Sequence, residues 1–293
     1  MSVEYRPNTY VWISEMPELP EVERGRVLAE RVASGRVIRE VRMRRDPIVF
    51  DGVSPQRFRS ALRGRRVHAV NRRGKQIWFE LDQPPWPLFH FGMTGAFRTR
   101  GVTPLKLASS GRKADTTWPP RFTKIHLIFD DNGELVMTNA RRLGRILLRA
   151  NPLHEPPIAM LGFDPLLDLP SSTQIRSKLK RRKSPIKSVL MDQSFAAGVG
   201  NWIADEVLYQ AGINPIRRAD TLSRMEVQLL RRKLKSIIML AVRVSADKNR
   251  FPRNWLFHYR WGKNPRALTA NGDRIEHIKV AGRTTAWVPQ RQC

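Results

Sequence analysis

The stretch Gly198-Val199-Gly200-Asn201 decides how this chain is read. It follows a basic run, Lys178, Lys180, Arg181, Arg182, Lys183 and Lys187, and precedes an apolar helical pattern. Glycines at a helix start leave backbone N–H groups pointing outward, and with the positive helix end they make an anion site. Working outward, the spacing predicts short helices over 172–180 and 185–191, a helix over 201–211 stopped by Gly212, and a long helix over 222–244. That order matches a helix–two-turn–helix element, which binds backbone phosphates. Alone the motif is weak, because glycine-rich helix starts are common.

Ahead of residue 160 the pattern changes. Glu18-Leu19-Pro20-Glu21-Val22-Glu23 opens a helix: Pro20 suits the first turn, and Glu21 and Glu23 complement its positive end. Val22, Gly25, Ala29 and Val32 recur at helical spacing, with a stop at Gly35. A strand is expected over 37–43. Two hairpins are expected around Arg72-Arg73-Gly74-Lys75 and Asp131-Asn132-Gly133. This is an antiparallel, β-rich domain behind a leading helix, with a mobile loop expected over 100–120. Five prolines between Asn151 and Pro170 predict a linker. A terminal hairpin is expected over 277–288, turning at Ala281-Gly282-Arg283. The expected divisions are an extension over 1–15, a β-rich domain over 16–150, a linker over 151–170, a helical domain over 171–250 and a closing segment over 251–293.

Charge narrows the partner. The 293 residues hold 53 Lys+Arg against 26 Asp+Glu, a net charge of +27, which asks for a polyanion. Composition alone allows DNA, RNA or anionic lipid. The chain lacks a basic amphipathic helix with a bulky apolar face, which disfavours a membrane surface and leaves nucleic acid. Covering about six phosphates would give a log–log salt slope of about −5. Genome bias also yields Arg-rich chains, and a ribosomal protein would be as basic. No run of about 18 apolar residues exists to cross a bilayer. The single cysteine, Cys293, excludes an internal disulfide framework, a Cys-rich zinc site and a cysteine nucleophile inside the fold.

Four islands carry chemistry, and each has an ordinary reading beside the functional one. Met16-Pro17-Glu18-Leu19-Pro20-Glu21-Val22-Glu23 could be only a proline-kinked helix start. Gly198-Val199-Gly200-Asn201 could be a common turn. Lys75 and Arg283 could be solvated turn residues. Together and in order, with Arg73-Gly74-Lys75, His90-Phe91-Gly92-Met93-Thr94-Gly95, Arg141-Arg142-Leu143-Gly144, Gln193 to Asn201 and Gly282-Arg283-Thr284, they resemble the formamidopyrimidine-DNA glycosylase family from Met16 to about Gln290.

The resemblance implies an α+β enzyme: an N-terminal antiparallel β-sandwich with flanking helices, a helix–two-turn–helix domain, and damaged double-stranded DNA in the cleft between them. It implies base excision followed by β,δ-elimination at the abasic site. The Pro17 secondary amine would be the Schiff-base nucleophile, Glu18 the catalytic carboxylate and Glu21 a supporting acid. Lys75, Gly200, Asn201, Arg283 and His90 match groups that hold phosphates around the extruded nucleotide. Met93, Arg141 and Leu143 match those filling the gap it leaves, and an apolar wedge is a known device there. No cofactor, metal or membrane is expected, and the protein should act as a monomer, in the nucleus of a eukaryote or the nucleoid of a bacterium.

Four departures from the family pattern qualify this. Residues 1–15 precede Met16, and if they remain the Pro17 nitrogen is a tertiary amide without an available lone pair. The reading therefore expects translation from Met16 with methionine removal, or cleavage of the leader. Residues 259–290 lack cysteine, so the finger resembles the zincless plant and fungal branch, as does the run from Phe251 to His258. Leu143 stands where many members have Phe, which removes base stacking worth ~1–3 kcal/mol. The stretch 245–250 is short, which points away from 8-oxoguanine and towards formamidopyrimidines, hydantoins and abasic sites. Two other classes stay open: a scaffold without catalysis, and an RNA-associated basic protein.

Overall fold

The structure is a computed structural model that describes residues 16–102, 117–262 and 266–293. The leader and most of the loop expected over 100–120 lie outside these residues.

Helix α1 (Leu19–Ala33) begins where Pro20 and Glu21 place it, and Gly35, at φ +78°, turns the chain out of it. The strands that follow are β1 (Ile38–Met43), β2 (Val67–Arg73), β3 (Gln76–Leu81), β4 (Trp86–His90), β5 (Ala96–Arg98), β6 (Thr123–Phe129), β7 (Glu134–Thr138) and β8 (Arg145–Arg149). They form two antiparallel four-stranded sheets, ordered β1-β6-β7-β5 and β2-β3-β4-β8. The apolar faces pack Phe79, Phe89 and Phe97 between them, with ring centroids 5.0 to 5.9 Å apart. Burying each such ring contributes ~2–3 kcal/mol. Both expected hairpins form: Arg73 pairs with Gln76, and Phe129 closes on Gly133.

Helix α2 (Pro55–Leu62) has no counterpart in the sequence reading. It buries only Phe58 and Leu62, too few for a periodic signal, and its sign was the Ser54 cap ahead of Pro55. Strands β4, β5 and β8 also escaped, being short and, in β4, interrupted by Pro87.

The second core is helical: α3 (Ser172–Lys180), α4 (Ile186–Met191), α5 (Asn201–Ala211) and α6 (Arg224–Arg243), each close to expectation. Ser171 and Ser223 cap α3 and α6 with reciprocal bonds from Gln174 and Glu226. Gly212, at φ +68°, ends α5. α5 is buried nearly all round: α4, α6 and the aromatic cluster that its own Trp202 forms with Phe251, Trp255 and Phe257 enclose it. The closing hairpin pairs β9 (Glu276–Val280) with β10 (Arg283–Trp287).

The proline-rich segment is ordered strapping rather than a free spacer. Asp164, fully buried, takes Arg72 Nη1 at 2.5 Å and the Gly74 N–H at 2.8 Å. On its other side Phe163 bridges to Ala196, and the Ala197 N–H donates to the Phe163 carbonyl. α1 joins the two cores directly. Leu19 packs into the helical core, while Val22, Ala29 and Ala33 pack into the sandwich.

Candidate active site

The N-termini of α1 and α5 meet, and Glu18 fills the junction. Its carboxylate, only 2% exposed, accepts N–H bonds from Gly200 at 2.9 Å, Trp202 at 2.8 Å and Ile203 at 3.1 Å. The Leu19 N–H returns to the Gly198 carbonyl at 3.1 Å. A Cβ on Gly200 would overlap the Glu18 carboxyl, so that position requires glycine. The anion site expected at this turn is therefore real, but the anion seated there is Glu18. The Gly200 amide, expected on a DNA phosphate, belongs to that seat. Of the four amides from Gly200 to Ile203, that of Asn201 alone is not taken by the carboxylate. Burial pushes the Glu18 carboxyl above its ordinary range, while Lys75, the amides of Trp202 and Ile203, and Arg260 pull the other way.

Pro17 is buried beside Glu18 and lines a cavity of about 130 Å³ with Glu21, Arg24, Phe91 and Arg98. Glu21 accepts the Glu18 N–H at 3.0 Å, fixing the bend between Pro17 and the helix. Gly25, one turn on, lets the Phe91 ring close against α1: an added Cβ would lie 2.7 Å from it.

Lys75 tips the β2–β3 hairpin. Gly74, at φ +57°, packs its backbone on Ala197 and Gly198, so the lysine is delivered to the α5 junction. Burial lowers the Lys75 ammonium, Glu18 and Glu21 oppose that, and Arg283 adds to it. These four charges thus share one field although they lie at opposite ends of the chain. Arg283 itself is exposed on the terminal hairpin, and Thr284 beside it accepts the Asn201 side-chain N–H at 3.1 Å. His90 is half-buried at the end of β4. Its Nδ1 accepts the Gly92 N–H at 3.3 Å, which leaves Nε2–H as its donor. Burial, then Lys75 and Arg145, hold it down to about 4, so it is neutral at physiological pH.

Met93, Arg141 and Leu143 come together on two adjoining loops. Buried Asn139 ties them: its Nδ2 donates to the Phe91 carbonyl at 2.9 Å and its Oδ1 accepts the Leu143 N–H at 3.1 Å. Met93 is half-buried, Arg141 is exposed, and Leu143 is 43% exposed. Arg142, at φ +55°, turns back to ion-pair with Asp46 at 2.9 Å. Burial opposes ionisation of Asp46, but Arg142 and Lys124 hold it at about 2.

The sequence reading missed several supporting groups. Arg72 is buried between Glu23 at 2.7 Å and Asp164, and locks the turn that carries Lys75. Asn139 and Asp164 gave no periodic or motif signal. Lys187, placed in the basic run, is instead fully buried against Asp205 at 2.6 Å. Glu206, next to it on α5, accepts Gln210 Nε2 and the Phe257 N–H, each at 2.8 Å, and burial raises it to about 7. A carboxyl raised in the folded state binds its proton more tightly there than when unfolded. The stability it confers is complete below about 4.5 and is lost as pH rises through 7, by ~3 kcal/mol. Glu206→Gln should therefore flatten the fall in Tm between pH 5 and 8. An unchanged pH dependence would refute the assignment.

A β-sandwich clasped to a helix–two-turn–helix domain, with a carboxylate from the first helix seated on the turn of the second, defines a class of DNA glycosylases. Family models agree: one described as the formamidopyrimidine-DNA glycosylase N-terminal domain matches residues 16–146, and one described as its H2TH domain matches 161–252. The formamidopyrimidine-DNA glycosylase of Arabidopsis thaliana is 41% identical over 277 residues, covering 94% of this chain and 71% of its own length. That of Heliobacterium modesticaldum is 33% identical, with 94% and 100% covered. The Lactococcus lactis enzyme, solved non-covalently bound to DNA containing an AP site, superposes with a TM-score of 0.77 at 25% identity, covering 94% and 99%. This chain belongs to the formamidopyrimidine-DNA glycosylase family, a family of DNA repair glycosylases.

Proposed function

We propose that the protein is a bifunctional glycosylase and AP lyase that removes oxidised purines, chiefly formamidopyrimidines and hydantoins, from duplex DNA as a monomer. The observation that carries this reading is the burial of Glu18 on the α5 amides beside Pro17, within the field of Lys75 and Arg283.

The chemistry starts with a free Pro17 amine, residues 1–16 having been removed. An α-amine with a pKa near ~8 is far more deprotonated at neutral pH than a lysine near ~10.4. The Pro17 nitrogen attacks C1′, the bond from C1′ to the base breaks, and the base leaves as it takes a proton. Glu18 relays protons at the sugar and leaving base, and Glu21 supports it. Opening of the sugar ring gives an iminium, which acidifies the C2′ proton. Loss of that proton breaks the C3′–O bond, and a second elimination breaks the C5′–O bond. Lys75, Arg283, the Asn201 N–H and the His90 Nε2–H hold the phosphates around the extruded nucleotide. Gly200 contributes indirectly, by seating Glu18. Met93, Arg141 and Leu143 fill the vacated stack. Their arrangement on one rigid pair of loops supports this, since extrusion costs a few kcal/mol that a preformed filler offsets. Domain divisions near 150, 170 and 250 accompany this reading, with the finger zincless.

The connection after α6 supports the lesion preference. Ser245 and Ala246 turn at φ +56° and +54°, and Phe251 is already packed 5.7 Å from Trp202, so little chain is left to cover a lesion. Single-turnover release from matched duplexes should be at least tenfold faster for formamidopyrimidine or guanidinohydantoin than for 8-oxoguanine, and unchanged by a zinc chelator. Faster release of 8-oxoguanine would overturn the preference, and loss of activity on chelation would overturn the zincless finger.

A further inference from the structure

Helix α5 carries a second carboxylate that the chemistry above does not use. Asp205 is 1% exposed and lies one turn past the amides that seat Glu18. Its Oδ1 lies 2.6 Å from the Lys187 ammonium. Its Oδ2 accepts Arg260 through Nη2 at 2.6 Å and Nε at 3.2 Å, and the Ala286 N–H at 3.1 Å. Both residues reach the closing hairpin in turn, Lys187 by its ammonium and Arg260 by its backbone. Lys187 donates to the Thr285 hydroxyl at 2.6 Å, and the Arg260 carbonyl accepts His277 Nε2 at 3.1 Å. Both strands of the hairpin are thus tied to one carboxylate.

We propose that Asp205, through Arg260 and Lys187, is the positioning residue that sets the hairpin, and with it Arg283, relative to Glu18. The inference rests on the phosphate-holding role given to Arg283 above. Three observations carry it. The apolar cluster under the hairpin is small, Tyr209, Leu256, Ile275, Ala286 and Val288, and apolar burial is non-directional, so by itself it sets no one geometry. A buried ion cluster adds little net stability but fixes one geometry, because every other arrangement strands a charge. Glu18, the cap of α1, is seated on the amides that open α5, and Asp205 lies on that same helix, so the carboxylate seat and the hairpin ties share one rigid element.

The test is a double-mutant cycle on the full protein, read as Kd for duplex carrying a tetrahydrofuran abasic analogue and as single-turnover base release. Arg260→Leu keeps the Lys187–Asp205 pair, so folding survives, and its Tm checks that. Arg260→Lys is the second variant: it keeps the buried charge but loses the two-point contact. Arg283→Ala should weaken binding ~10–100-fold in the parent. Arg260→Leu should lose most of the same factor, and Arg260→Lys part of it. Arg283→Ala added to Arg260→Leu should cost less than threefold more, because the guanidinium is already misplaced. Lys75→Ala, on the other domain, should keep its full effect in that background. Independent, multiplying effects of Arg260→Leu and Arg283→Ala would overturn the inference and leave the Arg283 role standing. No effect of Arg283→Ala in the parent would overturn both.

Discussion

A preparation beginning at Pro17 should leave a covalent adduct on abasic duplex under borohydride, and one that retains residues 1–16 should leave none. The reason is electronic. Within a chain the proline nitrogen is a tertiary amide, its lone pair delocalised into the carbonyl. Freed, it is a secondary amine with a substantial unprotonated fraction at neutral pH. Pro17 is buried beside Glu18, which α5 holds still. Lys75 is the competing amine: burial lowers its ammonium, and Glu18 and Glu21 oppose that only in part. Peptide mapping of the trapped complex tells a Pro17 adduct from a Lys75 adduct, and its intact mass shows whether residues 1–16 remain. An adduct whose protein part still contains residues 1–16 would refute the proline mechanism.

Glu18→Gln should slow base release by ~10²–10⁴-fold, the range for loss of a positioned acid–base group, while borohydride trapping on a preformed abasic site persists. The substitution is not neutral structurally. Both carboxylate oxygens face N–H donors, and the Gln amide has only one acceptor. The better orientation keeps the oxygen on Gly200 and Ile203 and turns the NH₂ towards the Trp202 N–H. That leaves a buried donor unsatisfied and costs ~1–3 kcal/mol. A Tm drop of several degrees with intact trapping separates the chemical role from collapse of the junction. Base release at the parental rate would remove Glu18 from the mechanism.

How much of this was legible depended on the reach of each signal. Helices α1, α3, α5 and α6 announced themselves, because capping, proline placement and 3.6-residue periodicity act within a few residues. The Gly74 and Gly133 turns did so for the same reason. α2 and the short strands stayed hidden because eight residues or fewer carry too little pattern. Lys187 was misplaced because a lysine in a basic run reads as solvated, and only Asp205, across the helix pair, shows why it is buried. Asn139 and Asp164 gave no signal at all, since their bonds reach 48 and 92 residues away.

The chain by itself determined the local conformations and the polyanionic class of partner, and its family resemblance nominated the reactive groups. Only the tertiary structure decided that the Gly200 amide holds Glu18 rather than a phosphate. It also decided that the prolines form a strap, and that one buried carboxylate ties the last hairpin to α5. The division follows from distance: propensity and charge are properties of neighbours in sequence, whereas the cost of burying an ion is set by whatever the fold brings within 3 Å of it.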